Sequence, residues 1–183
     1  MKKTALMLFL ALLVLSLCAV AEAPPEETKL EGPYLVTTCG QSPGAVMVGM
    51  SAMQAGAKAT YNNALTAETF EPGEFKTLIV TAGTSMKGMG AAGTDINAEI
   101  ERCLGVIKAA REAGLKIVGA HIEGMARRTD SSDAASIEAV MAEADVILVV
   151  TDSDSDGFFT AYAKEHEKPL IVVKDALEIG KVL

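Results

Sequence analysis

The sequence predicts a three-layer α/β protein built on a parallel sheet of five to six strands. Three observations lead there. Short apolar, β-branched runs alternate with longer segments of helical periodicity from Tyr34 to the C-terminus, and such alternation buries a parallel sheet between two helical layers. Two of the runs, Leu78-Ile79-Val80 and Val146 to Val150, are apolar without interruption, as expected of strands covered on both faces. The loops are also unequal: those after strands are crowded with Gly, Ser, Thr, Asp and basic residues, whereas those after helices are short and plain. In a parallel sheet the strand-to-helix loops share one edge, the carboxyl edge at which such folds bind ligands.

Taken in order, strands are expected at 34–38, 57–61, 77–82, 116–121, 146–151 and 170–174. Helices are expected at 43–55, 66–70, 95–113, 132–144, 157–166 and 176–181. Ser42-Pro43, Thr94-Asp95 and Ser131-Ser132-Asp133 supply helix starts, and Gly56 and Gly114 supply stops. The second strand is short and carries Lys58 and Thr60, which suits an edge, while the third is apolar enough to need neighbours on both sides. A flavodoxin-like order 2-1-3-4-5, extended by a sixth strand, meets both demands. The Rossmann-like order 3-2-1-4-5-6 would push the third strand to the edge. In the preferred order the chain reverses between strands one and three, so the crevice is expected between 39–44 and 83–95, with 121–133 as the adjoining wall.

The N-terminus reads as a leader. Lys2 and Lys3 form a basic start, Ala5 to Val20 an apolar run, and Ala19-Val20-Ala21 a small-x-small cleavage site. Residues 1–21 are thus a predicted signal peptide, 22–31 an acidic linker and 32–183 a single domain. The protein is expected to be exported, periplasmic or extracellular; lipid attachment at Cys18 is disfavoured by the bulky Leu17 before it. The formal charge is −8, and two units more negative once Lys2 and Lys3 are removed. Such an acidic surface argues against nucleic acid and anionic membranes as partners. Cys39 and Cys103 survive processing. Cys103 lies about two turns into its helix, roughly 12 Å along the axis, so the two are expected to stay apart as unpaired thiols.

Each strand-to-helix loop offers candidate chemistry. Gly40, Gln41 and Ser42 sit where a glycine turn feeds a helix N-terminus, an arrangement that suits an anion; capping by Ser42-Pro43 is the plainer alternative. Flavin is disfavoured, since the site loops contain no Trp. The loop from Gly83 to Asp95, with Thr84, Ser85, Lys87 and Gly88, is expected to cover a ligand, and it lacks the Gly-Lys-Ser/Thr ending of a nucleoside-triphosphate loop. Arg127, Arg128 and Asp130 make either a clamp for a carboxylate or phosphate or a structural ion-pair network. Cys39 and His121 are the candidate catalytic residues of a hydrolase or transferase, although a strand is expected between them. Asp152, Asp154 and Asp156 match the first half of a calcium loop, but Ala163 stands where its Glu belongs. That leaves a cation-dependent interaction module as a further alternative. No metal centre and no cofactor is assigned.

Four segments together resemble the uncharacterised family of exported bacterial proteins called domain-of-unknown-function family 6305. They are Cys39 to Ser42, Lys87 to Gly93, His121 to Arg128 and Asp156 to Phe159. The resemblance implies an exported α/β domain and supplies no activity. The expectation from the sequence is therefore a protein that binds a small polar or anionic molecule at the carboxyl edge.

Overall fold

The computed structural model describes residues 28–183; the expected signal peptide, Cys18 and most of the linker lie outside them. The described strands are β1 (Tyr34–Cys39), β2 (Ala59–Tyr61), β3 (Thr77–Ala82), β4 (Lys116–His121), β5 (Val146–Val150) and β6 (Leu170–Val173). They form one parallel sheet in the order β2-β1-β3-β4-β5-β6. This is the expected flavodoxin-like order, and its physical basis is plain in the burial. Every residue of β1, β3 and β5 is buried, whereas Thr60 and Tyr61 of the edge strand β2 are exposed.

The helices are α1 (Gly44–Gln54), α2 (Met86–Ala92), α3 (Ile96–Glu112), α4 (Ser131–Glu143) and α5 (Phe158–Glu165). Helix α1 covers one face of the sheet together with the C-terminal 3-10 turn Ala176–Lys181, packing Val48 and Ile179 against Val36, Ile79 and Leu148. Helices α3, α4 and α5 cover the other face, packing Val106, Ile107, Met141 and Phe159 against Leu78, Ile117 and Ile147. The layer changes between β1 and β3, so the reversal point falls where the strand chemistry placed it.

Two elements differ from expectation. Turns occupy 66–70 in place of a helix. The glycine-rich stretch after β3, expected as an open covering loop, contains α2. Ser85 caps that helix by accepting from Gly88 N at 3.1 Å, and Gly93, left-handed at φ 66°, ends it. Gly88 and Gly90 weaken a helix of this length, but its cap and its seat against the β1 loop hold it.

The strand order has a measurable consequence. Leu148→Ala, in the centre of the sheet, is expected to cost about 2–5 kcal/mol, and Thr60→Ala on the edge under about 0.5 kcal/mol. Urea denaturation of both variants reads the difference; equal costs would contradict the order.

Candidate functional site

The chain turns sharply where β1 ends. Gly40 and Gln41 have φ of 112° and 56°, left-handed values that an L residue such as Gln41 adopts only when its surroundings enforce them. Those surroundings are α2 and α3. Ser85 N donates to Gly40 O at 2.8 Å, and Gln41 forms an antiparallel bridge with Thr84. A Cβ on Gly88 would lie 2.2 Å from Gln41 O, so α2 seats only with glycine there. The two loops expected to frame a crevice are instead stitched together by their backbones.

Beneath this stitch lies Glu99, only 2% exposed although it belongs to a helix surface. Its Oε2 accepts from Gly40 N at 3.1 Å and its Oε1 from Gln41 Nε2 at 3.0 Å. Arg102 closes the arrangement, donating through Nε to Oε1 at 3.1 Å and through Nη2 to Oε2 at 2.8 Å. Arg102 also donates to the carbonyls of Leu65 and Thr38, at 2.7 and 2.5 Å. Burial alone would raise the Glu99 carboxyl; the donors from Arg102, Gln41 and Gly40 outweigh it and hold the group below the usual carboxylate range.

Cys39 and Cys103 are buried free thiols. Their expected separation is not found, because α3 overhangs the carboxyl edge and its second turn comes level with the end of β1. Cys103 Sγ donates to Thr38 O at 3.1 Å, and Cys39 Sγ approaches Glu99 O at 4.0 Å.

The wall after β4 is equally engaged. His121 is fully buried, with Nδ1 2.8 Å from Ser153 Oγ and Nε2 3.1 Å from Arg127 O. Cys39 and His121 therefore have separate partners, and β3 stands between their strands. Arg127 pairs with Glu123 Oε2 at 3.0 Å and donates to Thr84 O at 2.7 Å. Arg128 grips Asp156 in a two-pronged pair at 2.7 and 2.9 Å, donates to Ser153 O and lies over the Phe158 ring. Asp130 caps α4, accepting from Ser132 N and Asp133 N. Arg127 and Arg128 thus build an ion-pair network, with Glu123 and Asp156 as partners and Asp130 capping α4 instead. Asp133, 2% exposed, accepts from Thr84 and Thr129 through both backbone and side chain. Ser136 bridges Gly83 N to Cys39 O.

The aspartate run does not converge on a point. Asp152 accepts from Met125 N, Asp154 caps α5 through Phe159 N and Thr160 N, and Asp156 holds Arg128. Asp156 also accepts from Phe158 N at 3.2 Å, so Asp154 and Asp156 together start that helix. Lys87 projects from α2 into solvent.

One part of the edge is incomplete. Pro43 occupies the N-cap position of α1 and offers no side-chain cap, so the amides of Ala45 and Val46 have no intrahelical acceptor. Ser42 Oγ accepts only from Gly44 N, at 3.4 Å, and meets Thr38 Oγ1. Against this first turn points Glu123. Its side chain is 9% exposed, and its Oε1 is a buried acceptor with no hydrogen-bond partner. A Cβ on Gly44 would lie 3.2 Å from that oxygen and 2.9 Å from Thr81 Oγ1. Arg127, held by Glu123, leaves Nη2 unengaged among the described residues. A separate apolar groove of about 430 Å³ lies between α4 and α5, lined by Ile137, Met141, Phe158 and Tyr162.

Sequence reasoning did not single out Glu99 or Glu123. Glu99 was detectable, because it sits one turn before Cys103 on the apolar stripe of α3. Glu123 precedes Arg127 by four residues, the spacing of an intrahelical ion pair. Nothing in the sequence marked Ser136 or Ser153.

The chain belongs to the family described as Domain of unknown function (DUF6305), which matches residues 31–183. No curated protein sequence matches it. Among solved structures, a GDSL-like lipase from Bacteroides thetaiotaomicron is 11% identical, with 84% of this chain and 72% of the lipase covered and a TM-score of 0.37. At that score the likeness carries no argument about chemistry.

Two outcomes test the geometry. Glu99→Ala leaves Arg102 buried without its partner and is expected to cost about 3–5 kcal/mol, while the double change Glu99→Met, Arg102→Met recovers most of the loss; denaturant midpoints decide. Burial lowers the affinity of His121 for a proton, outweighing the backbone carbonyl of Arg127 that favours it. The unfolded chain therefore takes up a proton below about pH 6.5 that the folded chain refuses, so this share of stability is complete above that pH and declines as the pH falls. Glu99 and Asp133, both held low, lose their share only below about pH 4.5. Melting temperatures of His121→Asn are expected to fall less between about pH 7 and 5 than those of the parent; parallel curves would refute the assignment.

Proposed function

We propose that this member of the DUF6305 family is an exported protein that binds a small polar, anionic ligand over the first turn of α1. The observation that carries the reading is the buried, unpartnered Oε1 of Glu123, set against an uncapped helix N-terminus. Native structures leave few buried acceptors unpaired, and each exception calls for an explanation, a bound group that completes the site being the one favoured here. The first-turn amides and Arg127 Nη2 favour an oxyanion. The Glu123 carboxylate favours a donor. One ligand chemistry meets both demands, a small carboxylate or phosphate that also carries a hydroxyl or ammonium group. Entry requires the Glu123 side chain to turn outward, since its Oε1 is covered. Export rests on the leader read in residues 1–21.

In this reading Gly40, Gln41, Thr84, Ser85 and Gly88 position α1 and its neighbours, Ser42 borders the ligand, and Lys87 attracts an anion from outside. Arg128 and Asp130 support the wall. A hydrolase or transferase acting through Cys39 or His121 has less support, because both side chains are fully buried and otherwise bonded. A cation-dependent module has less support too, because Asp152, Asp154 and Asp156 serve three different partners.

Native mass spectrometry of protein purified without refolding, followed by melts with α-amino acids, 2-hydroxy acids and inorganic phosphate, tests the reading. A bound or stabilising compound is expected, and Glu123→Gln is expected to weaken it by at least about tenfold, or ~1.4 kcal/mol. Binding that Glu123→Gln leaves untouched, or stabilisation by none of these probes, would overturn it.

A further inference from the structure

The two buried thiols approach each other from different elements. Cys39 closes β1, and Cys103 sits on the buried face of α3. Each is docked at the other's doorstep. Cys103 Sγ donates to the carbonyl of Thr38, the residue before Cys39, at 3.1 Å. Cys39 Sγ approaches the carbonyl of Glu99, one turn before Cys103, at 4.0 Å. Arg102 Nη2 lies 3.4 Å from Cys103 Sγ, and a neighbouring cation favours the thiolate. Each sulfur thus lies against backbone that carries the other, and both belong to one core cluster, the arrangement a disulfide with Cα atoms within about 7 Å requires.

We propose that Cys39 and Cys103 form a reversible disulfide by exchange with a small-molecule disulfide. The two thiols are not equivalent. A hydrogen bond from Cys103 holds the Cys39 thiol below its ordinary range, while that same contact and burial push Cys103 well up. Cys39 is therefore the attacking group. Its thiolate displaces one half of the incoming disulfide as a thiolate and forms a mixed disulfide. Cys103 then loses its proton, attacks the Cys39 sulfur and displaces the second half. The protein is oxidised by two electrons, the small disulfide is reduced to two thiols, and the two cysteine protons end on those thiols.

The bond would join the same two elements as the Glu99–Arg102 pair, the end of β1 and the second turn of α3. It would tie the Gly40–Gln41 turn in place independently of any charge. Both thiols are at most 1% exposed, so exchange proceeds through local parting of α3 from β1. A reagent that reaches only surface thiols reacts with neither until that opening occurs.

The test uses the full chain carrying Cys18→Ser, incubated with oxidised glutathione, then acid-quenched, denatured, alkylated and mapped by mass spectrometry. The expected product has lost two hydrogens, carries no glutathione, yields a Cys39–Cys103 cross-linked peptide and melts higher than the reduced chain; dithiothreitol reverses all of this. Cys103→Ser is expected to stop at a glutathione adduct on Cys39, with no rise in melting temperature. Both thiols still alkylated at equilibrium, or a lasting glutathione adduct on the chain that retains both cysteines, would overturn the proposal. The mass result on that chain decides even where the single variant fails to fold.

Discussion

A carboxylate and a guanidinium buried together under the β1 turn, Glu99 and Arg102, set the geometry of the whole carboxyl edge. Removing two charges from water costs several kcal/mol each unless every lone pair and donor finds a partner. Here they do. Glu99 receives Gly40, Gln41 and two Arg102 nitrogens, and Arg102 also reaches Thr38 and Leu65. One ion pair thereby fastens β1, α3 and the turn before β3 to each other. Gln41 can hold a left-handed conformation because its side chain is gripped from below and its backbone is bridged to Thr84 from the side. The pair acts as a connector between elements, which is a better-founded role than a net gain in stability.

The same logic governs the wall after β4. Asp133, Ser136 and Ser153 are buried polar side chains, and each links backbone of one loop to another. Arg127 and Arg128 continue the pattern by donating to Thr84 O and Ser153 O as well as to carboxylates. The carboxyl edge is accordingly a set of loops locked by mutual hydrogen bonds. Among the described residues two buried side-chain oxygens lack a partner, Asn63 Oδ1 and Glu123 Oε1, and the second lies beside an uncapped α1, where the edge is left unfinished.

Much of this was legible in the sequence, for identifiable reasons. Strand order was readable because β3 and β5 are uninterrupted apolar runs while β2 is short and polar, and burial on both faces leaves no other place for such strands. Cys103 was rightly placed on the buried stripe of α3. Its meeting with Cys39 was missed because distance along a helix axis says nothing of how far that helix overhangs the sheet. Helix α2 was missed because the four glycines from Gly83 to Asp95 read as a loop, whereas the Ser85 cap and the close approach of Gly88 to Gln41 make a helix of it. The arginine partners depended on tertiary contacts: Asp156 reaches Arg128 from a different loop, and no local rule selects it among so many aspartates. Glu123 lay inside a segment already marked as a wall, and only the burial of its second oxygen distinguishes it.

Ligand recognition over α1 makes a spatial claim that amide chemical-shift mapping addresses directly. The full chain would be titrated with a 2-hydroxy acid, an α-amino acid and inorganic phosphate. Shifts gathered at Gly44 to Val46 and Glu123 to Arg127 are the predicted result. Shifts confined to the groove between α4 and α5, around Phe158 and Tyr162, would contradict it.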